Sequence, residues 1–314
     1  LSRPATLIRP RPLRAGDLIR VVAPASPFKA DALTAGVKQL EEWGYRVRMR
    51  DDIGSAHHYL AGSPRRRAAE LHEAFADPEA AAVLPIRGGY GLTTVLPLLD
   101  VELIRANPKI LVGCSDLTAL LQWMVFEAGV TCFHGPMLGS LGCGADPRGA
   151  ERFRALTESS DRPAELRSAY ADAHEWCIAP GVARGRAVGG SLSLLAAMCG
   201  TPGQLDTRGA VLFLEDVGER PYRIDRLLTQ LQHCGLFEGA AAVVLGDFVD
   251  CEEPGGEITW RDAVDRVFRN LPLPVLAGLP FGHGNPNMAF PLGVQVQVDA
   301  GQGSVSFREA ALAG

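Results

Sequence analysis

Three side chains of the types that nucleophilic hydrolysis requires each follow an apolar run. In KILVGCSDLTALL (109–121) the run ends in Gly113-Cys114-Ser115-Asp116 and passes straight into a helical pattern. A strand-to-helix turn lifts one side chain clear of a sheet and sets backbone N–H groups beside it, which makes Ser115 an exposed nucleophile next to an anion site. Ser or Asp before a helix is also ordinary capping, and the full G-x-S-x-G pattern is absent, so both readings stand. Cys114 is a rival nucleophile, but it lies one residue nearer the strand and points toward the core. In LFLEDVGERPYRIDRLLTQL (212–231) an apolar strand ends in Glu215-Asp216. A carboxylate left unpaired there would cost several kcal/mol, so it is a site residue or a cap. In GLPFGHGNPN (278–287) His283 stands between two glycines, poorly placed for a core and well placed as a general base. His134, in FHGP, is its competitor. His57, His58 and His72 lie in or beside exposed amphipathic segments, His174 in a polar stretch, and His233 near a helix C-terminus. The order Ser115, Glu215, His283 is the serine, acid, histidine order of α/β hydrolases.

A fourth feature is Arg87-Gly88-Gly89-Tyr90-Gly91, directly after the apolar run AAVLPI. Adjacent glycines present open N–H groups, as an oxyanion hole or carboxylate clamp requires, although a tight turn explains them equally. The phosphate-loop pattern and its lysine are missing. Arg87, Arg223 and Arg226 are candidate partners for a substrate carboxylate, with surface ion pairing the alternative, and Tyr90 and Tyr222 stand beside them as candidate contacts. No histidine and acid share helical ligand spacing, so no metal site is expected.

These residues need strands to hold them. From Asp17 onward, short apolar runs alternate with amphipathic stretches: LIRVVAP, YRVRMR, AAVLPI, KILVG and VTCFHG read as buried parallel strands. The helical patterns between them include SPRRRAAELHEAFADP, with Ser63 as N-cap and Pro64 at the first helical position. Residues 1–143 are therefore expected to form a doubly wound α/β domain with its reactive groups in loops at the carboxyl ends of the strands. Residues 144–180, polar and weakly periodic, read as an inter-domain connection. Residues 181–314 read as a second, mixed domain, with Leu227, Leu228 and Leu231 as the core stripe of one helix and a terminal hairpin in VQVQVDA…GSVSFREA.

Composition narrows the function classes. The chain has 314 residues, 47% hydrophobic and 21% charged, which suffices for a buried core. A formal net charge of -5 gives no global positive field for nucleic acid or an anionic membrane, so neither is expected as a main partner. The seven cysteines are scattered without CxxC spacing, which suits thiols in a reducing cytoplasm. The Pro- and Arg-rich N-terminal segment has no apolar run of signal-peptide type, and no run approaches the length of a membrane span.

The motifs VVAPASP, YLAGSPRRRAAELHEAFADP, IRGGYG, GCSDLTAL, FHGPM, GGSLSLL, LFLEDVGERPYRIDRLLTQL and GLPFGHGNPNMAFPLG, in this order, resemble the LD-carboxypeptidases, the muramoyltetrapeptide carboxypeptidases of peptidoglycan recycling. The resemblance implies a nucleophile at Ser115, with Glu215 and His283 completing a triad, and an oxyanion hole from the backbone N–H groups of Asp116, Gly88 and Gly89. It also implies a flavodoxin-like or amidotransferase-like N-terminal domain, a β-rich mixed C-terminal domain, a homodimer, no cofactor, and a murein tetrapeptide as substrate. Ser191, in GGSLSLL, departs from the asparagine expected there. The related alternative is a microcin-immunity type of serine peptidase acting on peptidyl-nucleotide or acyl-sulfamoyl adenylate substrates, for which Trp176 is the candidate base-stacking group.

Overall fold

The computed structural model describes residues 7–314, without the side chains of Ala173 and His174. Residues 1–6 of the Pro- and Arg-rich segment and the His174 imidazole thus lie outside the described residues. In chain order the strands are β1 (Leu18–Val22), β2 (Arg46–Arg48), β3 (Ala80–Pro85), β4 (Ile110–Gly113), β5 (Cys132–His134), β6 (Leu166–Arg167) and β7 (Cys177–Ala179). They continue as β8 (Val182–Ser191), β9 (Ala210–Val217), β10 (Ala242–Val249), β11 (Val275–Leu276), β12 (Phe290–Leu292), β13 (Gln295–Asp299) and β14 (Ser304–Phe307). The chain divides into two compact units. Of the described residues, the first holds those up to 161 with 288–292 and 311–314, and the second holds 162–287 and 293–310.

The first unit is built on a six-stranded sheet in the order β12-β5-β4-β3-β1-β2. Strands β1 to β5 run parallel and β12 pairs antiparallel with β5. The run β2-β1-β3-β4-β5 is the flavodoxin-like doubly wound order. LIRVV, AAAVLP and ILVG are buried along their whole length, as strands of a parallel sheet covered on both faces must be. β2 departs from the expected buried strand: Arg46 and Arg48 are exposed, because β2 is the sheet's edge and two arginines protect an edge from further pairing. The helix Pro64–Ala76 starts as expected, with the Ser63 hydroxyl accepting the Arg66 N–H at 3.2 Å. Since β1, β3 and β4 are neighbours, the segments leaving their carboxyl ends gather at one end of the sheet.

The second unit has an eight-stranded mixed sheet, β6-β14-β13-β8-β9-β10-β11-β7. Its centre, β8 to β11, is parallel, with the helices Leu192–Met198, Pro221–His233 and Trp260–Phe268 between successive strands. The terminal hairpin β13–β14 is present and pairs antiparallel with β8. The buried stripe of Pro221–His233 is Ile224, Leu228 and Leu231, while Leu227 is half-buried: spacings of four and then three residues keep one face inward, and Leu227 falls beside it.

Residues 144–180, read as a connection, divide between the units. The helix Pro147–Thr157 buries Phe153 and Leu156 in the first, and β6 and β7 are the outer strands of the second sheet. The stretch 181–314 likewise returns to the first unit at 288–292 and 311–314. No helix among the described residues is long and apolar enough to cross a membrane.

Candidate active site

At the end of β4, Cys114 is buried and Ser115 turns outward with φ 61° before the helix Leu117–Trp123 begins. A non-glycine residue in the left-handed region costs about 1–3 kcal/mol and persists only where its surroundings enforce it. The capping alternative does not hold. Asp116 occupies the N-cap position but makes no side-chain capping bond, and its Oδ2 accepts the Leu92 N–H at 2.9 Å from another loop. Burial raises the Asp116 carboxyl, while the N–H groups of Leu92 and Gly91 and the charge of Arg67 partly offset this.

The glycine loop lies against this turn. A Cβ on Gly88 would stand 2.9 Å from Ser115 Cβ, 3.1 Å from its Oγ and 3.2 Å from the Asp116 nitrogen, so only glycine leaves that slot open. Gly89, at φ 110°, passes so close to Ser26 that a Cβ would meet its Oγ at 2.4 Å, and the same hydroxyl accepts the Tyr90 N–H at 3.1 Å. Among the described residues the N–H groups of Gly88, Gly89 and Asp116 donate to no acceptor. Donors fixed beside a serine hydroxyl are what an oxyanion hole consists of.

Arg67, which sequence reasoning missed, braces the loop. It is fully buried and donates Nη1 to the carbonyls of Pro24 at 3.0 Å and Gly91 at 2.9 Å, Nε to Gly62 at 3.3 Å, and Nη2 to Thr94 Oγ1 at 3.2 Å. Its register was the available signal: in the run Arg65-Arg66-Arg67 only the last shares a helix face with the buried Leu71, Ala74 and Phe75. Arg87 and Tyr90 are exposed. The Arg87 guanidinium donates to the Pro27 carbonyl at 3.3 Å, and the Tyr90 ring stands edge-on to Tyr59 at 5.7 Å. His134 is not a candidate base, since its ring is fully buried and stacked on Phe290 at 5.1 Å in the sheet core.

In the second unit His283 Nδ1 lies 2.7 Å from Oε2 of the fully buried Glu215 on β9. Nδ1–H donates to the carboxylate, which leaves Nε2 to act as the base. Both glycines flanking the histidine are required. A Cβ on Gly282 would meet Glu215 Oε2 at 2.7 Å, and one on Gly284 would meet Asp247 Oδ2 at 2.2 Å. Phe281 anchors the loop edge-on against Phe213 of β9, at 5.7 Å between ring centres. Burial lowers the affinity of the imidazole for a proton, but the Glu215 hydrogen bond and charge, joined by Asp216 and Asp247, more than reverse this and leave its pKa raised. Asp216 accepts the N–H groups of Ser193 at 2.7 Å and Val217 at 2.9 Å, and burial chiefly pushes it up to about 6. Ser191, at the unusual position, pairs its hydroxyl with Ser193 at 3.0 Å.

Of the tentative contacts here, Arg223 is engaged with Glu219 one turn earlier, and Tyr222 is exposed beneath the Arg226 guanidinium at 5.6 Å. The Trp176 ring packs on Gly303, where a Cβ would stand 3.0 Å from its Nε1. Among the described residues no group of three or more His, Cys, Asp or Glu is placed to hold a metal ion.

A doubly wound unit with a strained serine beside open N–H groups, and a mixed unit with a buried carboxylate on an imidazole, carry the equipment of a serine peptidase. Comparison with known families agrees: the LD-carboxypeptidase N-terminal domain matches residues 19–135 and the LD-carboxypeptidase C-terminal domain matches 184–298. The chain belongs to the LD-carboxypeptidase family. It is similar to the murein tetrapeptide carboxypeptidase of Pseudomonas aeruginosa, 35% identical over 290 residues that cover 88% of this chain and 91% of that protein. The muramoyltetrapeptide carboxypeptidase structure from Oxalobacter formigenes matches with TM-score 0.81 and 27% identity over 92% of this chain and 97% of that one. The wild-type apo structure of the microcin C7 self-immunity protein, known in Escherichia coli, matches with TM-score 0.87 and 26% identity over 98% of this chain and 100% of that one.

Proposed function

We propose that this chain is a serine LD-carboxypeptidase that releases the terminal D-Ala of murein tetrapeptides by cleaving its amide bond to the preceding L-centre. The observation that carries the reading is Ser115 at φ 61° against the open Gly88 slot, in a chain of this family. In this mechanism His283 Nε2 takes the Ser115 proton as Oγ attacks the carbonyl, and Glu215 holds the imidazole and stabilises its charged form. The N–H groups of Asp116, Gly88 and Gly89 receive the oxyanion. His283 then protonates the departing D-Ala amine, and water, deprotonated by the same imidazole, cleaves the acyl-serine. Losing one oxyanion donor in such a mechanism costs about 2.7–4 kcal/mol.

The same reading has the enzyme recycling cell-wall peptides in the cytoplasm as a homodimer. Cysteines without disulfides suit a reducing compartment, and sedimentation tests the dimer. Mass spectrometry of the protein with a murein tetrapeptide is expected to show loss of one D-Ala. Ser115→Ala abolishes that release while leaving the circular dichroism spectrum intact. Release that persists in Ser115→Ala sinks the nucleophile assignment. Cleavage of an acyl-sulfamoyl adenosine, but of no stem peptide, transfers the chain to the immunity type, whose base-stacking candidate Trp176 is here packed on Gly303.

A further inference from the structure

Strand β10 carries a feature that the mechanism above does not use. Its pairing with β9 runs regularly to Leu245 opposite Leu214 and resumes with Phe248 opposite Asp216. Gly246 and Asp247 therefore both lie across from Glu215 alone, which is a β-bulge at the acid of the His–Glu pair. Bulges re-aim side chains and are common beside active sites. This one turns Asp247 onto the loop that carries the imidazole. The Asp247 N–H donates to the Phe281 carbonyl at 2.9 Å, and a Cβ on Gly246 would meet that same carbonyl oxygen at 2.4 Å and the Phe281 ring at 2.8 Å. The carboxylate continues along the loop to Gly284, where glycine alone leaves it room. Among the described residues no hydrogen bond ends on the Asp247 carboxylate.

We propose that Asp247 is a positioning residue for His283: its N–H fixes the loop, and its carboxylate is a further anion, beside those of Glu215 and Asp216 on β9, that stabilises the charged imidazole formed when Ser115 gives up its proton. The inference rests on the carboxypeptidase reading for its catalytic meaning, though not for its structural test. The groups facing the imidazole are Glu215 and Asp216 from β9 and Asp247 from β10. Asp247 is in turn faced by Glu215, His283 and the Tyr170 phenol, over whose ring Arg261 stands at 5.3 Å. Burial and the Glu215 charge push Asp247 up to about 7, while His283 holds it down. The acid and the imidazole therefore titrate as a coupled set rather than one by one.

The experiment follows the ring signals of His283 by NMR against pH in the full chain without substrate, assigned by difference from His283→Gln. Asp247→Asn keeps the shape and removes the charge. Its His283 midpoint is expected to fall by about one pH unit, as loss of a close opposite charge requires, and Asp247→Glu restores most of it. The acid limb of kcat/KM on the tetrapeptide moves down with the midpoint, because the base stays neutral to lower pH. If Asp247→Asn fails to fold, Asp247→Ser serves as the uncharged variant. A midpoint unchanged within about 0.2 pH unit in a folded uncharged variant overturns the proposal, since a merely structural role leaves the titration where it was. Absence of D-Ala release by the wild-type chain overturns the functional reading instead, and the titration still decides Asp247.

Discussion

Ser115 keeps its hydroxyl in the open by holding φ 61°, and the cost of that conformation is measurable apart from catalysis. Ser115→Ala keeps the Cβ and hence the strain, whereas Ser115→Gly removes both. In urea unfolding, Ser115→Gly is expected to be more stable than Ser115→Ala by about 1 kcal/mol, with neither variant releasing D-Ala. Equal stabilities would mean that the turn is not strained. Ser115, Glu215 and His283 were all legible as types standing after apolar runs, because a polar group there has few alternatives to a site or a cap. Arg67 and Asp247 were not. Arg67 was masked by two neighbouring arginines on other helix faces, and Asp247, in VVLGDF, stands near the end of an apolar strand just as Glu215 does. The strand-end argument made for Glu215 applied there too, but nothing in one sequence marks a bulge.

At the scale of elements, glycine positions decide how closely the His283 loop rests on the sheet. Gly246 lies in the β10 bulge, and the atoms its Cβ would meet are a backbone oxygen and an aromatic ring, neither of which yields cheaply. Gly246→Ala is expected to lift Phe281 and displace His283 from Glu215. The predicted result is a loss of kcat/KM of at least about tenfold, because misplacing a catalytic group by 1 Å costs up to about 10²-fold. The far-ultraviolet spectrum stays native, and the His283 NMR midpoint falls as the Glu215 bond weakens. Full activity in Gly246→Ala would show that the loop has slack. The parallel strands were readable because burial on both faces leaves near-continuous apolar runs, but β2, at the sheet edge, is not buried. Alternation in RVR marks an edge as readily as a buried strand, and only the sheet order settles which.

Across the whole molecule, the serine unit draws on segments far apart in the sequence. Strand β12 closes that unit's sheet by pairing Phe290 with His134, Pro291 with Phe133 and Leu292 with Cys132. The C-terminal residues add the Ala311 carbonyl, which accepts the Thr131 hydroxyl at 2.6 Å, and the Ala313 N–H, which donates to Pro10 at 2.8 Å. Phe290, Leu292 and Leu312 are all buried in the whole chain. Burying such a side chain contributes about 1.5–3 kcal/mol, so three of them approach the ~5–15 kcal/mol that holds a typical domain together. A fragment of residues 1–161, which contains the whole 1–143 stretch that reads as an α/β domain by its strand and helix alternation, also leaves the β5 edge unpaired. It is therefore expected to unfold without a cooperative urea transition, or to associate through that edge. The same fragment with residues 286–294 appended through a flexible linker is expected to regain a sharp transition. A fragment 1–161 that unfolds cooperatively without the appended strand would show that β12 decorates this unit rather than completing it, and the polar appearance of 144–180 would then mark a true boundary. Otherwise the serine's scaffold depends on residues made after the histidine, and the serine unit is finished only once residues 288–292 have been made.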